Sequence, residues 1–176
     1  TNNMSSSKQA ESTLLAIIIQ GGQQGVGNQL LSEAEESGIT AECFTDHNCQ
    51  TIWEVCKEVE SKNRPVDETE VLTTAQSKGM ELSEFLDIME FVKAPINLST
   101  YAEKVLEFHK LRMLTKMSRL VQEQVGEGLD AGDIMTTVDA TTKKLAETGS
   151  TQQTIGDAFD SFIRDLFGDF DEQAYI

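Results

Sequence analysis

Apolar residues recur along this chain at steps of three and four, the period of an amphipathic helix, and strand-like alternation of β-branched residues is almost absent. After polar Gln9, Glu11 and Ser12, the residues Leu14, Leu15, Ile17, Ile18 and Ile19 follow Ala10 at helical offsets, predicting a helix over 8–20 with Ser7 as N-cap. A glycine loop leads to a second helix over 27–37, stopped by Gly38. After a short connection over 39–45 carrying Phe44, Asp46 caps a third helix over 47–62. It buries Ile52, Val55, Cys56 and Val59, with Trp53 flanking them, and Asn63-Arg64-Pro65 breaks it. Asp67, with Glu70 three residues on, starts a fourth over 68–78 that ends at Gly79. Ser83 caps a fifth over 84–93 with Phe85, Ile88, Met89 and Val92 on one face, ended by Ala94-Pro95.

The second half of the chain has longer periods. A sixth helix is predicted over 98–125, with Leu98, Tyr101, Val105, Phe108, Leu111, Leu114, Met117, Leu120 and Val121 forming a packing stripe. Gly126-Glu127-Gly128 turns the chain, and a seventh helix over 130–147 returns with Ile134, Val138 and Leu145. So short a loop implies an antiparallel helical hairpin. Beyond a polar linker, Ile155, Phe159, Phe162, Ile163, Leu166, Phe167 and Phe170 draw a narrow aromatic stripe against an acidic face, predicting an eighth helix over 154–170. That helix either closes the core or serves as an arm for another subunit or domain. The expectation is an all-α chain: a disordered tail or tag remnant over 1–7, a helical subdomain over 8–96, the hairpin over 97–148, and a linker with an amphipathic helix over 149–176.

Charge narrows the partners. The 176 residues hold 30 acidic and 14 basic groups, a net charge of −16. Such a surface repels nucleic-acid phosphates and acidic membranes, so no direct nucleic-acid or membrane contact is expected. The charge is uneven: residues 1–96 carry net −10 and residues 149–176 net −5, but residues 97–148, with 7 basic and 8 acidic groups, carry net −1. The hairpin is therefore the least repulsive surface for self-association. No apolar stretch reaches bilayer length and no secretory signal is visible, which leads to a cytoplasmic expectation.

Two stretches invite a chemical reading. Gly22 and Gly27 have phosphate-loop spacing, but Asn28 and Gln29 stand where the Lys and the Ser or Thr belong, so cation and metal ligand are missing. A flexible connection between helices is expected there. Cys43, His47, Cys49 and Cys56 lack the close-set pairs of a zinc site and read as three buried thiols in a reducing compartment. No catalytic, cofactor-binding or metal-binding residue is assigned.

Residues 11–121 resemble the N-terminal domain of DnaB-type replicative DNA helicases. "AESTLLAIII" is similar to that family's opening helix, and "CFTDHNCQTIWEV" to its Phe-x4-His-x2-Ile-aromatic stretch through Phe44, Ile52 and Trp53. "RPVD" resembles its Pro-Ile-Asp turn, and "APINLSTYAEKVLEFHKLRML" its marks at Pro95, Asn97, Leu98, Tyr101, Ala102, Val105, Leu111 and Arg112. Cys49 departs from the usual His, the glycine-rich connection before the fifth helix is reduced to Gly79, and the loop over 21–27 looks inserted, which points to a divergent, phage- or plasmid-like relative. No Walker A motif occurs in these residues, so the chain looks like the N-terminal domain with its linker helix, or a free-standing adaptor or inhibitor of helicase or primase built on the same fold. The resemblance implies a non-catalytic collar. Its hairpins, through Tyr101, Val105, Phe108, Leu111, Leu114, Met117, Leu120, Val121, Ile134 and Val138, would form dimers or a trimer of dimers. It would offer a docking surface to primase or a loader. The terminal helix, through Ile155, Phe159, Phe162, Ile163, Leu166 and Phe167, would pack on a neighbouring subunit's motor domain. ATP and magnesium would belong to the motor alone.

Overall fold

A computed structural model describes residues 2–91 and 97–147. Among the described residues the chain is all-α, with no strand. Its helices are α1 (Asn2–Gln20), α2 (Gly27–Glu36), α3 (His47–Ser61), α4 (Glu68–Ser77), α5 (Leu82–Met89), α6 (Leu98–Gly126) and α7 (Ala131–Ala146). The expected eighth helix lies outside the described residues. The chain divides into two compact units, Thr1–Leu111 and Arg112–Ile176.

In the first unit α1 is the hub, packing on α2, α3, α4 and α5. Leu14, Leu15, Ile18 and Ile19 are fully buried, and so are polar Glu11 and Ser12. A helix covered on every side carries little amphipathic signal, which is why this one reads as a nearly continuous apolar run. It begins at Asn2, well before residue 8, so it takes in part of the stretch read as a tail, and Ser7 lies inside it rather than capping it. The Ser7 hydroxyl instead donates to the Glu11 carboxylate at 2.9 Å.

Glu11 is the most constrained polar group in this core. A buried carboxylate is tolerable only when hydrogen bonds replace its water. Glu11 accepts from the Thr45 backbone N–H at 2.6 Å, the Thr45 hydroxyl at 2.7 Å and the Asp46 N–H at 3.3 Å. Asp46 in turn caps α3, its carboxylate accepting from the Cys49 N–H at 3.1 Å. The acid on α1 thus fastens the first turn of α3 in place. Asp67 caps α4 by accepting from the Glu70 N–H at 2.8 Å, as its sequence position predicts. Asn97 starts α6, accepting from the Ser99 N–H at 3.1 Å. α5 begins two residues earlier than expected, after Glu81 rather than Ser83, with the Glu81 N–H donating to the Glu84 carboxylate at 3.1 Å. Trp53 is core, not flank: it is buried, with its ring centroid 5.4 Å from that of Phe44.

The glycine loop is an ordered corner rather than a flexible connection. Residues Gly21–Gln24 form a 3-10 turn, and the Gly25 and Val26 amides bond to the Gly22 and Gly21 carbonyls at 3.2 and 2.9 Å. A Cβ on Gly27 would run into the Val66 carbonyl oxygen. Glycine is required here because two backbones touch. Asn28 completes the contact: its side-chain oxygen accepts from the Val66 N–H at 2.9 Å and its amide donates to the Arg64 carbonyl at 3.1 Å. α3 ends through Asn63, at φ 57°, with the Arg64 N–H reaching back to the Val59 carbonyl at 3.1 Å, the same closure that glycine usually makes.

The second unit holds the hairpin turn. α6 closes through Gly128, at φ 77°, with the Leu129 N–H bonded to the Gln124 carbonyl at 3.1 Å. Asp130 then caps α7, accepting from the Gly132 N–H at 3.1 Å. Met117 and Val121 of α6 meet Ile134 and Val138 of α7 in a small core, with Leu114 packed against it. The expected antiparallel pair is therefore formed.

Candidate assembly surface

The apolar stripe predicted as one interface falls into three groups. Val105 is buried in the core of the first unit, with Tyr101 and Phe108 packed against the same core. Lys104 lies over the Tyr101 ring, 4.7 Å from its centroid. Met117, Val121, Ile134 and Val138 are sealed inside the hairpin, with Leu114 at its edge. Only Leu111 and Leu120 stand open, at 50% and 42% exposure. A spacing of three and four selects one side of a helix, but not what covers that side.

Three further residues belong with the open group. Val125 and Leu129 are each 42% exposed and Met135 is 57% exposed. They cluster in sequence about the turn from α6 to α7. Met135 neighbours Ile134 on α7, so a helical step of about 100° takes it off the buried stripe. The sequence signal for it is its offset from the stripe: Ile134 and Val138 are four apart on one row, and Met135 starts the next. The set Ile155, Phe159, Phe162, Ile163, Leu166 and Phe167 lies outside the described residues.

The electrostatics around α6 are mild. Lys110 is 4% exposed, and burial holds its ammonium below the usual lysine range. On α7, Lys143 pairs with Asp139 at 3.1 Å, both well exposed. Pairs of this kind contribute little stability but keep the helix surface nearly neutral.

The two stretches that invited a chemical reading are packed into the fold of the first unit. Cys43, Cys49 and Cys56 are all buried and in no disulfide. Burial pushes Cys49 and Cys56 up to about 12. Among the described residues no group of three or more His, Cys, Asp or Glu is placed to hold a metal ion. No helix among them is long and apolar enough to cross a membrane.

Known proteins with this architecture can now be set beside it. No curated protein sequence matches the chain. Among solved structures, the crystal structure of the N-terminal domain of DnaB helicase from Mycobacterium tuberculosis matches with a TM-score of 0.61 and 17% sequence identity. That match covers 79% of this chain and 95% of the mycobacterial one, a likeness of fold. The family model "DnaB-like helicase N terminal domain" matches residues 3–107, which takes in the whole of α1 to α5 beyond its first residue and the first third of α6. The chain belongs to the DnaB-like helicase N-terminal domain family.

Proposed function

We propose that this chain is the collar of a hexameric replicative DNA helicase, joining copies through the helical hairpin and docking primase or a loader, with catalysis left to an ATP- and magnesium-dependent motor. The observation that carries this reading is the apolar surface left over once the hairpin has filled its own core. Leu120, Val125, Leu129 and Met135 remain open although Met117, Val121, Ile134 and Val138 already satisfy the packing of α6 on α7. Apolar side chains left open along one stretch of chain, from the end of α6 through the turn into α7, suit a surface that association covers. They lie in the segment of net charge −1, where two copies of an otherwise acidic protein repel least. A cytoplasmic setting and dimers, or three dimers in a ring, fit this role. In the same reading the aromatic stripe over 154–170 grips the motor of a neighbouring subunit.

The test is sedimentation velocity across a concentration series, comparing the wild type with Val125→Asp/Met135→Asp. Both side chains are open in the isolated chain, so the double variant should keep its far-UV circular dichroism. In a contact between copies it buries unpaired charge, at a cost of about 3 kcal/mol or roughly a hundredfold in Kd. Wild-type protein that stays monomeric at its highest soluble concentration, or a variant that assembles equally well, would sink the proposal.

A further inference from the structure

We propose that the outer face of α5 is a docking site for a basic amphipathic helix of a partner protein. Between residues 6 and 91, the described large hydrophobic side chains that stand open are Leu82 at 47%, Leu86 at 44% and Phe91 at 36%. All three lie on α5 or in the turn that follows it. Leu82 and Leu86 are four residues apart, so they form a ridge along one side of the helix, bordering the buried stripe of Phe85, Ile88 and Met89 that anchors α5 in the core. α5 therefore has a complete attachment to its own domain and two leucines to spare.

Charge identifies the occupant. Glu90 continues the row of Leu82 and Leu86, and Asp87 lies on the adjacent row, so carboxylates edge the ridge. Asp87 and Glu90 also sit at the C-terminal end of α5, where the helix dipole already places negative charge and disfavours more. No basic residue occupies the last turn to offset them. Among the described residues, none of Glu81, Glu84, Asp87 and Glu90 is in an ion pair. Elsewhere in this unit Glu35 and Glu60 pair with Lys57 and Glu58 with Lys62 and Lys78, while other described acids such as Glu36, Glu54 and Glu68 are in no ion pair, so it is the apolar ridge beside them that distinguishes the α5 carboxylates. On the other flank of α5, away from Leu82 and Leu86, a separate groove of about 450 Å³ runs between it, α1 and the start of α3, lined by Lys8, Asp46, Glu84, Asp87, Ile88 and Phe91 among others, with Lys8 paired to Asp46 at 3.6 Å. The apolar ridge and its acidic edge complement a helix with leucine-like residues on one face and lysine or arginine on its flanks. A nucleic acid or an anionic membrane is repelled by the same carboxylates.

This inference rests on the docking half of the proposed function and not on the hairpin. The probe is a synthetic helix of about 18 leucines and lysines at amphipathic spacing, long enough to be helical. Titration is followed by fluorescence anisotropy, using the full chain. Leu82→Ser/Leu86→Ser and Asp87→Asn/Glu90→Gln should each weaken binding about tenfold. Glu36→Gln/Glu68→Gln removes the same charge from exposed sites elsewhere and should change it less than about twofold. An equal loss in both charge variants would mean that the peptide reads only net charge, and would overturn the site. So would binding unaffected by the leucine pair, or no saturable binding at all. The Val125→Asp/Met135→Asp variant should bind the peptide as the wild type does, so the failure of one surface is separable from that of the other.

Discussion

Cys49 and Cys56 put thiols where water does not reach, and burial raises both to about 12 from the ordinary thiol value of 9.0. An acid whose folded pKa is raised keeps its proton longer in the folded chain than in the unfolded one. The stability it contributes is complete below pH 9. It is eroded between pH 9 and 12, as unfolded thiols ionise and folded ones do not. Each thiol should cost up to about 1.4 kcal/mol per pH unit in that window. Lysines and tyrosines titrate there too, so the comparison is between the wild type and Cys49→Ala/Cys56→Ala. Urea unfolding at pH 8 and pH 10.5 should show the wild type losing more stability than the variant. Equal losses would show that the thiols ionise freely in the fold. Glu11 is the opposite kind of residue at this scale, a charged group held by donors from 34 and 35 residues away. Its sequence position inside an apolar helix reads only as a polar lead-in, because all of its donors but the Ser7 hydroxyl are remote.

Elements in this chain were legible where their determinants are local. Asp46 and Asp67 cap the helices their positions predict, since an acceptor three residues ahead of a free N–H acts through a single turn. The corner between α1 and α2 was not legible in that way. Gly27 and Asn28 are explained by Val66 and Arg64, which approach only after the chain has folded back through α3. Read alone, the glycines look like slack. The hairpin shows the same limit from another direction: Val121 and Leu120 are adjacent and equally apolar, yet one is 3% and the other 42% exposed. Gly27→Ala tests the corner. Its methyl group meets backbone rather than a yielding side chain, so it should destabilise the fold by about 2–3 kcal/mol. Gly25→Ala, beside it, meets no atom within 4 Å and is strained only by its φ of 75°. It should cost about 1 kcal/mol. Denaturant midpoints that place Gly27→Ala at or below Gly25→Ala in cost would refute a corner held by backbone contact.

At the scale of the whole molecule, a net charge of −16 is the dominant long-range force between copies. Repulsion of this kind reaches about 30 Å at 0.01 M ionic strength and about 8 Å at 0.15 M. The contact proposed for the hairpin is apolar and lies in the segment of net charge −1, so it gains little from attraction between charges. Salt then weakens only what opposes assembly. Self-association should tighten as sodium chloride rises from about 0.01 to 0.15 M, and the mean mass by light scattering should rise with it. The α5 surface obeys the reverse rule: a basic helix held by Asp87 and Glu90 loses attraction over the same range, and its Kd should grow. Opposite salt trends from one protein in one buffer series separate the two surfaces without any substitution. Dissociation of the assembled protein on adding salt would mean that ion pairs, not Leu120, Val125, Leu129 and Met135, hold the copies together.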